Sequence, residues 1–218
     1  MHGILQKSPL FAGMPPEKIQ GLLQNLHSWE KQYVKGEFLR QAGETTAEMG
    51  LLLTGEVHIL REDFWGNSRI LGNIMPGDLF GEAFACSGQP MTVSVQAVQD
   101  SRVCYLNCQG LLAPGGGPEQ ELLRCRLLRI LAAKNQRLVG KMEHMSQKTT
   151  REKLLSYLSE QAQLAGKREF IIPFNRQQLA DYLGVERSAM SAQLSQMQKE
   201  GILDYQRSWF RLNREEER

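Results

Sequence analysis

Asn175-Arg-Gln-Gln-Leu-Ala-Asp-Tyr-Leu-Gly-Val-Glu-Arg-Ser-Ala-Met-Ser-Ala-Gln-Leu-Ser-Gln-Met-Gln-Lys-Glu-Gly-Ile-Leu203 reads as two helices joined by a tight turn. Asn175 is a favoured N-cap, and Gln178 three residues later completes a capping box. Leu179, Ala180 and Leu183 face one way, and the small Ala180 lets a second helix cross close by. Gly184 supplies the positive-φ residue at which the first helix ends. Met190, Leu194 and Met197 then recur at helical spacing, and Gly201 closes the second helix. Ser188, Ser191, Ala192, Ser195 and Lys199 lie on its opposite side. An ordinary packed helical hairpin would turn a face rich in Glu and Lys to solvent. A small, polar outward face instead fits a helix that reads a DNA groove.

Upstream of this stretch, Phe170-Ile-Ile-Pro-Phe174 predicts a short strand, and Leu154, Leu155 and Leu158 predict a helix ending at Gly166. Downstream, residues 202–205 and 209–212 predict two strands with a turn at Arg207-Ser208, which together make a winged helix-turn-helix. Further back stands the longest helical pattern, from Glu119 to about Met145. Leu128, Leu131, Asn135, Leu138, Met142 and Met145 alternate in spacings of three and four, a heptad seam with Asn135 at an a position. A lone apolar stripe is often plain core. A polar residue within the seam points to pairing with its own copy, so these six residues are the expected dimer interface.

The helix follows a break at Pro114-Gly-Gly-Gly-Pro118. Before the break, short apolar runs from Tyr33 to Leu106 alternate with Gly-containing turns, the pattern of a compact antiparallel sandwich or roll. Met49-Gly-Leu-Leu-Leu53 and Val57-His-Ile-Leu60 are expected to be strands, with a hairpin at Thr54-Gly55. Residues 8–26 open with turn residues and continue into a helix with Ile19, Leu22, Leu23 and Leu26 inward.

The 218 residues suffice for one large domain or two modest ones, and 41% hydrophobic with 23% charged residues is an ordinary globular composition. No run of eighteen apolar residues suggests a membrane span, and the first seven residues have no signal-peptide core, so a cytoplasmic location is expected. Residues 1–117 carry 8 basic and 11 acidic side chains, residues 118–146 carry 6 and 3, and residues 147–218 carry 12 and 10. An acidic front and a mildly basic rear fit a sensor joined to a DNA reader. Cys86, Cys104, Cys108 and Cys125 have neither zinc-site spacing nor a disulfide framework, so buried free thiols are expected. No Ser/His/Asp array, metal cluster or phosphate loop supports the rival reading of an enzyme with a small effector domain.

Arg176-Gln-Gln-Leu-Ala-Asp-Tyr-Leu-Gly184 with its following helix, and Gly77-Asp-Leu-Phe-Gly-Glu82 in the front half, together resemble the catabolite-activator/fumarate-nitrate-regulator (CRP/FNR) family of bacterial transcription factors. The resemblance covers nearly the whole chain. It implies an α+β fold with three parts: a cyclic-nucleotide-binding-like β-roll for effector sensing over 8–117, a dimerisation helix over 118–146, and a winged helix-turn-helix over 147–218. It implies a homodimer on a palindromic operator, with RNA polymerase a possible partner. Arg176, Gln177, Gln178, Arg187, Ser188, Ser191 and Ser195 are the expected DNA contacts. Relatives often carry glutamate at Ser188 and arginine at Ala192, so altered inner bases are expected; the Ala192 departure also keeps open a regulator that acts by protein contact alone.

For the effector, the resemblance places Gly77, Phe80, Gly81, Glu82, Met91, Thr92 and Leu138 around the pocket. Met91 stands where the family's cyclic-nucleotide readers carry an arginine for the phosphate, and a buried phosphate without a cation is poorly compensated. Cyclic AMP is therefore not the expected signal. Haem sensing of a gas such as nitric oxide is the alternative, with His2, His27, His58, His144 and the cysteines as candidate ligands. No cysteine precedes Cys86, so the N-terminal iron–sulfur cluster of some relatives has no counterpart.

Overall fold

The computed structural model describes residues 2–63, 65–66 and 68–213, which fall into two compact units, Met1–Ala132 and Ala133–Arg218. The first unit opens with helices α1 (His2–Lys7) and α2 (Pro16–Asn25). Strands β1 (Trp29–Tyr33), β2 (Phe38–Arg40), β3 (Glu48–Thr54), β4 (Val57–Glu62), β5 (Ser68–Ile74) and β6 (Leu79–Phe80) follow. Then come α3 (Glu82–Ser87), β7 (Ser94–Ala97), β8 (Ser101–Asn107) and α4 (Cys108–Leu112). The strands form two antiparallel four-stranded sheets, in the orders β1-β8-β3-β6 and β2-β7-β4-β5.

Side-chain alternation shows why β3 is apolar from Met49 to Leu53. Leu52 points into a core shared with Val57, Val95 and Ala97 of the other sheet, while Met49, Leu51 and Leu53 point into a second core under the helices. β8 does the same, with Val103 and Tyr105 on one side and Cys104 and Leu106 on the other. A strand buried on both faces has no polar face to show. Each fully buried Leu contributes on the order of 1.5–3 kcal/mol.

The hairpin expected at Thr54-Gly55 does not form. β3 has both edges occupied, by β8 and by β6, while β4 pairs with β5 and β7. With no free edge on β3, the turn carries the chain from one sheet to the other. Gly50 lies within β3 because the Phe80 ring of β6 covers it; a Cβ there would fall inside that ring.

Helix α5 (Gly117–Ser146) begins in the first unit, with Leu123 and Leu127 in the helical core. Its start is pinned by side chains. Gln120 Nε2 donates to the Gly110 and Leu111 carbonyls at 2.8 and 3.2 Å. Arg124 donates to the carbonyls of Leu111 and Ala113 at 2.8 and 2.9 Å, and to that of Gly115. The chain reaches α5 through three successive exposed left-handed residues, Gly115, Gly116 and Gly117, at φ 92°, 88° and 76°.

The second unit holds the end of α5, α6 (Thr150–Ala165), β9 (Glu169–Ile171), α7 (Arg176–Leu183), α8 (Arg187–Lys199), β10 (Leu203–Gln206) and β11 (Trp209–Leu212). Thr149 and Glu152 cap α6 reciprocally. The three strands make an antiparallel sheet, β10-β11-β9, and Arg207 takes φ 52° in the wing turn, where the absence of glycine is tolerated. His144 is buried at the end of α5. Its Nδ1 lies 2.8 Å from Ser156 Oγ and its Nε2 2.9 Å from Glu160 Oε2, tying α5 to α6.

Candidate nucleic-acid interface and effector segment

Local capping sets the two helices of the nucleic-acid face. The Asn175 side chain accepts from the Gln178 N–H, and Gln178 Oε1 accepts from the Asn175 N–H, both at 2.9 Å. Gly184, at φ 62°, ends α7, and Leu179, Ala180, Leu183, Met190, Leu194 and Met197 are fully buried between the helices and their neighbours. The start of α8 has a cap that sequence reasoning missed. The Glu186 carboxylate accepts from the N–H groups of Ser188 and Ala189 at 2.9 and 2.8 Å, and from the Ser188 hydroxyl. Those bonds, the Ser188 hydroxyl foremost, hold its pKa below the usual carboxylate range. Only its position before the helix could have signalled this, since glutamate is an uncommon cap.

Each expected contact residue has a defined setting. Arg187 is exposed and, among the described residues, makes no hydrogen bond or ion pair. Ser188 is exposed but shares its hydroxyl with Glu186. Ser191 is half-buried, and its carbonyl accepts from Ser195 Oγ at 3.0 Å; that hydroxyl also lies 3.2 Å from the Tyr205 hydroxyl of the wing. Gln177 Nε2 donates to Asp181 at 2.9 Å, and Gln178 is committed to the cap through its carbonyl oxygen. Arg176 is half-buried, with its guanidinium 4.6 Å from the Tyr205 ring centre and 5.2 Å from that of Phe210. It clamps the first helix to the wing. Ala192 and Lys199 complete the exposed side of α8.

In the first unit, Phe80 ends β6, Gly81 takes a left-handed conformation, and Glu82 opens α3. Glu82 is buried, as is Gly77 at φ 98°. The Phe80 ring meets Tyr105 edge-on, and the Tyr105 and Tyr33 hydroxyls pair at 2.7 Å. Met91 is 2% exposed and packs in the core between the sheets. Its N–H donates to the Glu44 carbonyl at 2.8 Å, and its carbonyl accepts from Gly43 at 2.7 Å. Thr92 next to it is exposed. Leu138 belongs to the second unit and is 61% exposed. A cleft of about 320 Å³ opens beside Gln32, Tyr33, Glu37, Asp100 and Arg102, and none of the expected effector residues lines it.

The described histidine side chains do not assemble. His27 is exposed, His58 lies 3.7 Å from Glu56, and both ring nitrogens of His144 are bonded; the His2 side chain lies outside what the structure describes. Among the described residues no three His, Cys, Asp or Glu side chains converge as metal ligands. His144 therefore does not fit an axial haem ligand. The cysteines hold one arrangement that their spacing concealed: the Cys86 and Cys108 sulfurs, 22 positions apart, lie 2.8 Å from each other. Burial pushes the Cys104 thiol up to about 12, and burial, then the Cys86 hydrogen bond, raises that of Cys108 as well. Cys125 is exposed.

A two-sheet front unit, a long helix and a winged helix-turn-helix with a cationic start to its second helix make up the chain's architecture. Two family models match it in that order, a cyclic nucleotide-binding domain over residues 30–113 and a Crp-like helix-turn-helix domain over residues 152–217. The chain belongs to the CRP/FNR family, whose members are transcriptional regulators rather than enzymes. It is 28% identical to the cyclic AMP receptor protein of Thermus thermophilus over 109 residues, half of each chain. It is 24% identical to the fumarate and nitrate reduction regulatory protein of Escherichia coli, over 83% of this chain and 73% of that one. The Thermus thermophilus catabolite activator protein structure shares the fold, at a TM-score of 0.52 and 23% identity over 94% of both chains. The matched stretch thus spans only half the length of one curated relative and most of another. No described helix is long and apolar enough to cross a membrane.

Proposed function

We propose that this chain acts in the cytoplasm as a homodimeric, sequence-specific DNA-binding transcriptional regulator, with residues 8–117 sensing a signal other than cyclic AMP, 118–146 pairing the two copies and 147–218 binding a palindromic operator. The observation that carries this reading is the exposed face of α8. Arg187 stands exposed at its first turn, with no partner among the described residues, followed by the small side chains Ser188, Ala192 and Ser195, which let the helix lie deep in a major groove. The seam supports pairing: Leu128, Leu138 and Met142 are 69%, 61% and 70% exposed in the single chain, an unusual cost for apolar side chains without a partner. The buried, uncharged Met91 supports a signal other than a cyclic phosphate.

A gel-shift titration on the chain's own promoter region, against a scrambled duplex of equal length, tests the reading. Binding of the promoter at least tenfold tighter is the expected result. Equal affinity for both duplexes would instead favour action by protein contact. RNA polymerase is the partner through which a bound dimer would then activate or block transcription.

A further inference from the structure

We propose that Cys86 and Cys108 are a redox-active dithiol whose reversible oxidation to a disulfide staples α3 to α4. The two sulfurs are already 2.8 Å apart, and a small side-chain rotation brings them to the roughly 2.0 Å of a covalent bond. The pair is set on packed elements: Cys86 lies in the last turn of α3, Cys108 opens α4, and Gln109 Nε2 donates across to the Ala85 carbonyl at 3.2 Å. The two thiols differ in access. Cys108 is fully buried and its thiol stays protonated, whereas Cys86 is half-exposed. An oxidant therefore reaches Cys86 first, and the protected neighbour resolves the product.

With a hydroperoxide as oxidant, the Cys86 sulfur attacks the terminal peroxide oxygen. The O–O bond breaks, an alcohol or water leaves, and Cys86 becomes a sulfenic acid. The Cys108 sulfur then displaces the sulfenic oxygen, which departs as water with the Cys108 proton, and the S–S bond forms. In sum two thiols lose two protons and two electrons, and one hydroperoxide becomes an alcohol and a water. Cys108 is a slow nucleophile when buried, but the second step is intramolecular between sulfurs in contact, which offsets that handicap. A small-molecule thiol reverses the reaction by exchange.

The location makes such a staple consequential. α3 starts at Gly81-Glu82, the turn of the effector segment, and α4 is held to the first turns of α5 by Gln120 and Arg124. Oxidation would thus fix the effector turn to the root of the long helix, all within the first unit. The reactive pair stands independently of the DNA-binding reading.

The test uses the reduced full-length chain, treated with hydrogen peroxide as a folded protein and then alkylated in denaturant without reductant. Titratable thiols should fall from four to two, intact mass should fall by two hydrogens, and fragmentation should locate a Cys86–Cys108 link. Dithiothreitol should restore all four thiols, and Cys86→Ser should lose the link while leaving the other three thiols alkylatable. A Cys125–Cys125 link between chains, irreversible oxidation of Cys86 alone, or four free thiols after treatment would each overturn the proposal. Because the mapping is done on the wild-type chain, a Cys108→Ser variant that fails to fold would not obscure the outcome.

Discussion

Arg187 and Arg176 are two cations on neighbouring helices in opposite situations. Arg187 is unengaged among the described residues, so Arg187→Ala should leave stability unchanged, lower operator affinity by about 1–3 kcal/mol per half-site and relax preference at one base pair. Titration against the selected operator and a scrambled duplex at several salt concentrations checks this; equal losses on both would make Arg187 a phosphate contact. Arg176 lies over Tyr205 and Phe210. Arg176→Ala should therefore lower stability by about 0.5–2 kcal/mol and weaken all duplexes alike, seen in denaturant midpoints and in a flatter salt dependence. Glu186 gives the same unit a pH signature. Its folded pKa is depressed, so its capping contribution is present above the ordinary carboxylate pKa of about 4.3 and is lost as pH falls through the lower folded value. The stability advantage of wild type over Glu186→Gln should therefore be full near neutral pH and shrink as pH falls through that value, because a protonated carboxyl and an uncharged amide cap alike. At this scale the Asn175–Gln178 cap was legible because both residue types are favoured there. The Glu186 cap and the Arg176 clamp were not, since one uses an unfavoured residue and the other joins partners about thirty positions apart.

Helices were legible as elements because a 3.6-residue period and its caps are local. α5 carries a prediction of this kind. Asn135 is exposed in the single chain, and Asn135→Leu should tighten self-association while loosening register or oligomeric state. Sedimentation of both forms measures it, and a wild-type monomer at about tens of micromolar would remove the seam from the interface. Strands were legible as segments but not in their pairing. The turn at Thr54-Gly55 reads the same whether its strands pair or part, and only the occupied edges of β3 decide between them. Gly50 likewise gave no local sign of its neighbour across the sheet. Gly50→Ala must displace the buried Phe80 ring and should cost about 1–3 kcal/mol in chemical denaturation; a change within experimental error would show that the ring relocates freely.

At the scale of the molecule, the order of two-sheet unit, long helix and winged helix-turn-helix was visible because each part has its own sequence rhythm and a glycine-rich break separates the first two. The partition of α5 between two compact units was not, since a continuous helical period carries no mark of which core each turn joins. The pairing of Cys86 with Cys108 was hidden for a related reason: it depends on how α3 and α4 meet after an intervening excursion through two sheets. For the whole protein, titration calorimetry with cyclic AMP should give no saturable heat at micromolar ligand. Met91, at the position proposed for a phosphate contact, is buried in the same core cluster as Phe80, Val95 and Tyr105. Saturable micromolar binding would mean that Met91 leaves the core on binding.

Residues 115–117 look like a spacer, exposed and without side chains, yet all three hold a backbone conformation that other residues reach only at a cost of roughly 1–2 kcal/mol each. Gly116 is further confined, because a Cβ there would strike the Gln120 side chain that anchors α5. In a saturation mutagenesis scan this surface loop should show the intolerance of an interior position, while the apolar Leu164, exposed at the end of α6, accepts nearly any replacement.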